Sequence, residues 1–274
     1  MLQHTHSIYV VIVLYKISLY EAESYKTLIA PNNLTHYLVY DNSPQRGYTD
    51  ESSLPEGATY ISDTNNGGLA KAYNTGARIA KEQGFKRILL LDQDTVFAPD
   101  AWTAYLENAD YKGMVAPLMK TNRGDDFSPV CIDGWFTRAA HNVQPGEYSL
   151  FKYAAVNSGC CVPTDLFWEV GGYADEVVLD FADFQFQLRL RRVAANFRII
   201  HTTALQDFSN DCTNVSSVKN RYLLYLKSAV GYKADSSRMQ LKHHCEVFKH
   251  TLSLMLRTHS FFFFTKFVTR YLLK

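Results

Sequence analysis

The ten residues 86–95, Lys-Arg-Ile-Leu-Leu-Leu-Asp-Gln-Asp-Thr, constrain the fold of this chain more than any other stretch. Ile88, Leu89, Leu90 and Leu91 form an unbroken apolar run. A central strand covered on both faces requires such a run, and strands of that kind belong to parallel sheets with helices packed on either side. Ligands of these sheets bind just outside the carboxyl ends of the strands, and there the run delivers Asp92 and Asp94. Two carboxylates separated by one residue can share a hard divalent cation together with the phosphates it carries. Taken alone, such a pair reads more readily as an acidic turn that caps the next helix. Its meaning depends on what else the chain brings to that edge.

Strands and helices alternate before it. Residues 7–14 are apolar and β-branched, residues 19–29 mix polar and apolar groups as a helix does, and residues 35–40 return to strand before the turn Asp41-Asn42-Ser43-Pro44. Residues 60–62 make a third strand, and a polar turn from Asp63 leads to a helix over 69–83. This spacing predicts a parallel α/β sheet. Asp41, Asp63 and Asp92 then end their strands on one shared edge. The turn Asn65-Asn66-Gly67-Gly68 supplies flexible backbone and free amides at a helix start, a place suited to phosphate or sugar hydroxyls, although it is also an ordinary turn.

Past Asp94, Pro99-Asp100-Ala101-Trp102 opens a helix, residues 113–119 read as strand, and residues 120–146 as loops or a hairpin over the site. Residues 151–162 resume the sheet around Asn157-Ser158-Gly159, and Thr164-Asp165 cap a helix that Gly171-Gly172 end. In residues 179–192, Phe181, Phe184, Leu188 and Val193 can share an apolar face, so a helix begins near Asp180 or Asp183, where the dipole stabilises a carboxylate. Capping accounts for either residue. A carboxylate on a separate element is also the usual general base.

Five cysteines, odd in number and without C-x-x-C spacing, point to a reducing compartment and no structural zinc. The net charge of +1 hides a division: residues 1–218 hold 17 Lys and Arg against 25 Asp and Glu, residues 219–274 hold 11 against 2. An acidic body that bound an anionic ligand would need a cation to mediate. The basic tail calls for an anionic partner. From Val247 onward its apolar residues, Phe261, Phe262, Phe263 and Phe264 among them, are interleaved with Lys249, Arg257, Lys266, Arg270 and Lys274. No run is long enough to span a membrane. The tail can lie in an anionic membrane interface or pack on the body as a terminal helix. Nucleic acid is not an expected partner, since no reading motif accompanies the charge, and His243-His244-Cys245 lacks metal-ligand spacing.

Several motifs stand in order: Val10 to Leu14 followed by Tyr15; Val39-Tyr40-Asp41-Asn42-Ser43; Asn66-Gly67-Gly68-Leu69-Ala70-Lys71-Ala72-Tyr73-Asn74-Thr75-Gly76; Leu91-Asp92-Gln93-Asp94; Ser158-Gly159; Gly171-Gly172-Tyr173; and Asp180-Phe181-Ala182-Asp183. Together they resemble the inverting GT-A glycosyltransferases of family 2, most closely the bacterial rhamnosyltransferase-like branch, over residues 7–208. The resemblance implies a Rossmann-like, mostly parallel central sheet flanked by helices. It implies a GT-A domain over 1–218, with a donor half to about 112 and an acceptor half from 113, followed by a basic, aromatic-rich helical extension over 219–274. Tyr15, Asp41, Asn42, Asn66, Gly68, Asn74 and Asp92 would then bind a nucleotide sugar, dTDP-rhamnose or a UDP-hexose. Asp94 would ligate Mg2+ or Mn2+, with Asp92 and Asp207 as further ligands. Asp183 would be the catalytic base, and Gly159, Gly172 and Asp180 would meet the acceptor, a hydroxyl of a lipid-linked glycan in bacterial surface polysaccharide synthesis such as O-antigen or capsule. The implied location is the cytoplasm, with peripheral attachment to the inner face of the membrane.

Two positions depart from that pattern: Gln185 stands where relatives often carry a carboxylate, and Leu205-Gln206-Asp207 where a late His often completes the metal site. Two rival functions follow. Nucleotidyl transfer on a related scaffold would ordinarily show a Gly-rich loop with Arg and Lys after the first strand, and Val13-Leu14-Tyr15-Lys16-Ile17-Ser18 is no such loop. A domain that binds sugar nucleotides without catalysis is left open by Gln185 and Asp207.

Overall fold

The computed structural model describes residues 7–206 and 215–274. Thirteen strands appear: β1 (Ile8–Leu14), β2 (Tyr37–Asp41), β3 (Thr59–Ser62), β4 (Arg87–Asp92), β5 (Val96–Phe97), β6 (Val115–Lys120), β7 (Asp126–Ser128), β8 (Val130–Cys131), β9 (Arg138–Ala139), β10 (Gly146–Ser149), β11 (Tyr153–Ala154), β12 (Cys161–Pro163) and β13 (Asn196–Leu205). The α-helices are α1 (Gly68–Glu82), α2 (Ala101–Glu107), α3 (Thr164–Glu169), α4 (Ala182–Leu190), α5 (Val215–Gly231), α6 (Ser237–Thr258) and α7 (Phe262–Phe267).

The main sheet runs β10-β13-β6-β12-β4-β1-β2-β3, with β5 added to β13 and β7 to β6. The donor-half strands β3, β2, β1 and β4 are parallel, as expected for buried apolar runs joined by crossovers. β12 enters antiparallel between β4 and β6, and β6 and β13 are again parallel. A smaller sheet, β11-β8-β9, lies apart from it.

Every residue of β1 is buried, and its alternating side chains feed two cores. Tyr9, Val11 and Val13 join α1, while Ile8, Val10, Ile12 and Leu14 join α2 and residues 19–29. The pleat sends successive side chains to opposite faces, so a strand apolar at every position needs a layer on each side. Residues 19–29 are a 3-10 turn followed by a π turn rather than one regular helix. The amides of Glu23 and Ser24 both donate to the carbonyl of Gln93, which fixes the chain there against α-helical pairing.

β13 has no counterpart among the expected strands. It carries the sheet past β6 and ends beside Gln206. The tail folds as three helices around its own apolar cluster, including Tyr222, Leu226, Val247, Leu254, Phe263 and Phe267. α5 runs through the boundary drawn at residue 218 from the change in charge.

At the start of β4, Arg87 is 2% exposed, and its guanidinium donates to the carbonyls of Tyr111 (2.5 Å), Gly113 (2.8 Å) and Cys161 (2.9 Å). It therefore ties the central strand to β12 and to the approach to β6. Burying a cation is tolerated only with its hydrogen bonds in place. Arg87→Met should leave these carbonyls without donors and cost about 3 kcal/mol or more. A lowered urea midpoint at unchanged m-value is the expected readout.

Candidate active site

The carboxyl end of β4 is assembled from both halves of the chain. The Asp92 amide donates to Ser158 Oγ (3.0 Å), and Ser158 Oγ also pairs with Thr95 Oγ1 (2.7 Å). The Gly159 amide donates to Leu90 O (2.7 Å). Ser158-Gly159 thus extends the β12–β4 ladder and holds the strand end from below. Asp92 Oδ1 accepts from the Tyr73 hydroxyl (2.9 Å), which α1 brings across the sheet. Burial pushes the Asp92 carboxyl up to about 6, and repulsion from Asp94 adds to it. Asp94 is exposed.

Gln206 at the end of β13 is the residue that sequence reasoning missed here. Its Nε2 donates to Asp94 Oδ1 (2.8 Å) and faces Asp92 Oδ2 (3.4 Å), so one neutral amide lies against both carboxylates. The sequence points to Leu205-Gln206-Asp207 as the late metal position but offers Asp207, not Gln206, as the contributing side chain. Asp207 lies outside the described residues. Among the described residues no group of three or more His, Cys, Asp and Glu side chains is gathered as a metal site. The contacts here bring together two carboxylates and an amide.

Gln93, between the two aspartates, points the other way. Its Oε1 accepts from the Tyr15 amide (2.7 Å), its Nε2 faces Tyr15 O (3.4 Å), and the Lys16 amide donates to Ser43 Oγ (2.6 Å). This fixes the loop after β1, with the Tyr15 ring exposed and Lys16 Nζ 5.0 Å from its centroid. Asp41 is fully buried, accepting from the Ser43 amide (2.8 Å) and the Tyr60 hydroxyl (2.7 Å). Asn42 beside it is 4% exposed, and its Oδ1 has no hydrogen-bond partner. Asp63 accepts from Tyr40, Lys71 and the Asn65 amide; the Lys71 ammonium leads in holding its carboxyl below the usual range. Asn66 is exposed at the start of α1.

Three of the expected contact residues are engaged inside the protein. Asn74 exchanges two hydrogen bonds with the main chain of Tyr173, 2.9 Å to its carbonyl and 2.8 Å from its amide. A Cβ on Gly172 would come within 2.6 Å of that amide oxygen, so Gly172 serves this close approach. Gly68 has φ +85° and passes so near the Val178 carbonyl that a Cβ would sit 2.5 Å from it. The Leu69 amide donates to the same carbonyl (3.1 Å). α1, expected at the donor, is thereby locked to the segment that leads to Asp180 and Asp183.

Asp180 binds Arg221 of α5 with both carboxylate oxygens, one at 2.8 Å. Phe181 follows at φ +67°, a left-handed conformation uncommon outside glycine. Its ring lies 4.8 Å from His243 and 5.1 Å from Tyr225, both on the extension. This turn starts α4, and Asp183 in its first turn accepts from the Phe184 amide (2.8 Å). Burial pushes the Asp183 carboxyl up to about 7; the charges of Asp180 and Asp92 raise it further against the Phe184 bond. Gln185 is buried, and its amide pairs with both main-chain groups of Lys233 (3.1 and 2.6 Å). A carboxylate could accept the Lys233 amide but would face its carbonyl without a donor, so the neutral residue suits the packing of α4 on the extension.

The family model described as glycosyl transferase family 2 matches residues 10–160. Among curated proteins, the dTDP-rhamnosyl transferase RfbF of Shigella flexneri is 27% identical over 187 residues, 67% of this chain and 62% of that protein. The chain thus spans about three fifths of that relative. Among solved structures, GalNAc-T7 with UDP, GalNAc and Mn2+ superposes at a TM-score of 0.54 and 12% identity, covering 94% of this chain and 58% of that one. S. aureus TarS 1–349 superposes at 0.52 and 15% identity, covering 87% and 71%. These likenesses show the GT-A fold.

Asp183 also gives the chain a pH dependence. An unfolded aspartate titrates near 3.9, so the folded state binds this proton more tightly. That contribution is complete below about pH 4 and is lost as pH rises through about 7. Asp183→Asn should therefore raise the melting temperature at pH 8 by about 4 °C or more and change it little at pH 4. Melting curves at the two values read this directly.

Proposed function

The chain belongs to glycosyl transferase family 2, and from that premise we propose that it transfers a sugar, with inversion, from a nucleotide diphosphate to an acceptor hydroxyl. The observation that carries this reading is the convergence of Asp183 with Asp92. The charge of Asp92, from the donor half, reaches Asp183, from the acceptor half, and adds slightly to the rise that burial imposes on its carboxyl. Within this reading residues 1–218 form the catalytic unit and residues 219–274 an extension. The donor is dTDP-rhamnose or a UDP-hexose; the likeness to RfbF favours rhamnose. The acceptor is a lipid-linked glycan in bacterial surface polysaccharide synthesis.

The mechanism follows from what these side chains can do. Asp41, Asn42 and the Tyr15 loop hold the nucleoside, with the unpartnered Asn42 Oδ1 as an acceptor ready for a ligand N–H or O–H. Asp94 and Asp92, hydrogen-bonded by Gln206 and Tyr73, suit a hard cation because the turn brings two carboxylates together at one strand end. Mg2+ or Mn2+ bound there would neutralise the leaving diphosphate. Asp183 accepts the proton of the acceptor hydroxyl as its oxygen bonds to the anomeric carbon. The bond from that carbon to the diphosphate breaks on the opposite face, and the nucleoside diphosphate departs with the electron pair. A base titrating near 7 is matched to this task.

Incubation with candidate sugar nucleotides and Mn2+ tests the reading. Slow release of nucleoside diphosphate is expected; conversion of the sugar nucleotide with added pyrophosphate into nucleoside triphosphate and sugar 1-phosphate would mean nucleotidyl transfer, and binding without turnover a non-catalytic domain. With an acceptor present, kcat/KM should rise with pH to a plateau above about 7. Asp183→Asn should lower turnover by about 10²–10⁴-fold, and Asp94→Asn by about 10²–10³-fold.

The extension offers a membrane contact in the same reading. No helix among the described residues is long and apolar enough to cross a membrane. Phe261 and Leu273 are 78% and 76% exposed, near Lys266 and Arg270. Such a mix of apolar and basic groups suits an anionic bilayer surface. Because Val247, Leu254 and Phe263 form the extension's core, point changes test this better than truncation. Phe261→Glu with Leu273→Glu should abolish co-sedimentation with phosphatidylglycerol-rich vesicles while the melting temperature holds. Unchanged co-sedimentation would remove the membrane contact.

A further inference from the structure

Between α4, α6 and the small sheet lies a cavity of about 330 Å³ that no part of the donor site uses. Its shape follows from helix periodicity. Met239, Lys242, Glu246, Lys249 and Ser253 recur at three- and four-residue steps along one face of α6, which at roughly 1.5 Å per residue makes a slot about 20 Å long. Phe184, Gln187, Leu188 and Arg191 form the facing stripe of α4. Leu150 and Ala154 are buried beneath it. Phe181 and Phe184, which also line the slot, flank Asp183 in the chain, so the slot starts at the turn that carries the base.

The charges in it are uneven. Lys242, Lys249 and Arg191 face a single lining carboxylate, Glu246. That carboxylate already accepts the Thr137 amide (2.5 Å), and Arg191 is paired with Asp235. Lys242 Nζ donates to the Ile132 carbonyl (2.7 Å) and Lys249 Nζ lies 4.4 Å from the Phe136 ring centroid. Neither lysine is in an ion pair within 4 Å among the described residues. An ammonium satisfied by one carbonyl or one ring face retains donors for an anion. His243, also lining the slot, donates from Nε2 to the Ala229 carbonyl (2.8 Å), and burial drives its pKa down to about 4, so the ring is neutral near pH 7. The slot therefore pairs apolar walls with two lysines: Lys242, buried and within reach of the charges of Glu246 and Asp133, and Lys249 against the Phe136 ring.

We propose that this slot binds the carrier end of the acceptor, a polyprenyl phosphate or diphosphate, with the chain along the α4 and α6 stripes and the phosphate at Lys242 and Lys249. A carrier held there would present its sugar toward the turn at Asp183. This rests on the transferase reading for its biological sense, but the binding can be measured without it. The extension then supplies one wall of the acceptor site.

Titration calorimetry of the full chain with farnesyl phosphate tests the proposal. Farnesyl phosphate should bind, with farnesol and inorganic phosphate each weaker by about tenfold or more, the loss of one principal contact. Ser253→Trp, which fills the slot, and Lys249→Met, which removes one cation at similar size, should each weaken it by about tenfold as well. No heat with farnesyl phosphate, or equal affinity in both variants, would overturn the proposal. Equal binding of lysophosphatidylglycerol would also overturn it, by assigning the slot to a membrane phospholipid. Nucleoside diphosphate release from the sugar nucleotide, measured on the unaltered protein, reports on the transferase reading separately: binding without release would leave the slot and sink the transferase.

Discussion

Bringing like charges to one desolvated edge is the constraint around which this structure is built. Asp92 sits at the end of a strand whose other residues are buried, with Asp94 two residues on and Asp183 close enough for its charge to be felt. Removing a carboxylate from water raises its affinity for a proton, and a second carboxylate raises it further. The protein meets this with neutral donors: Tyr73 from α1, Gln206 from β13 and the Phe184 amide from α4. Each comes from a different element, so the edge exists only when the whole sheet is assembled. The three carboxylates also differ. Asp94 is exposed, Asp92 is half covered and hydrogen-bonded, and the carboxyl of Asp183 is raised further than that of Asp92, so cation contact and proton acceptance fall naturally to different residues.

The extension belongs to this arrangement. Arg221 closes on Asp180, Ser228 Oγ accepts the Leu179 amide (3.2 Å), and the Lys233 main chain pairs with Gln185. These contacts bracket the left-handed turn at Phe181, a conformation that costs roughly 1–3 kcal/mol unless its surroundings impose it. The aromatic contacts of Phe181 with Tyr225 and His243 are those surroundings. The direction of Asp183 is thus set by residues 38 to 60 positions away in the chain.

Much of the donor half was legible because its signals are local. β1, β2 and β4 are short continuous apolar runs, α1 has helical periodicity, and Asp41, Asp63 and Asp92 stand at the carboxyl ends of β2, β3 and β4 in one parallel set. β13 escaped because its alternation breaks: Ile199 and Ile200 are both buried, and the register against β6 shifts between Ile199 and Thr203. Gln206 was hidden with it. Asn74 and Gly172, read as ligand groups from polar and glycine-rich motifs, also meet each other and the main chain of Tyr173, about 100 residues apart in sequence. A single sequence cannot tell a polar group aimed at a ligand from one aimed at a distant stretch of main chain. Gln185 looked like a lost charge for the same reason.

The tail illustrates how composition can divide what packing joins. Its basic and aromatic residues suggested either a membrane surface or a packed helix, as though these excluded one another. Helical periodicity lets both hold: Tyr222, Val247, Leu254 and Phe267 turn inward, while Phe261, Phe264, Leu256 and Leu273 remain exposed on the same segment. The inward face fixes α5, and α5 fixes Asp180 through Arg221. Removing residues 247–274 would take away the support for Tyr222 and Leu226 on α5 together with any bilayer contact. Loss of activity after such a deletion would therefore measure the stability of the turn at Phe181 as much as attachment to a surface, and the two separate only when the exposed face is changed and the inward one is left intact.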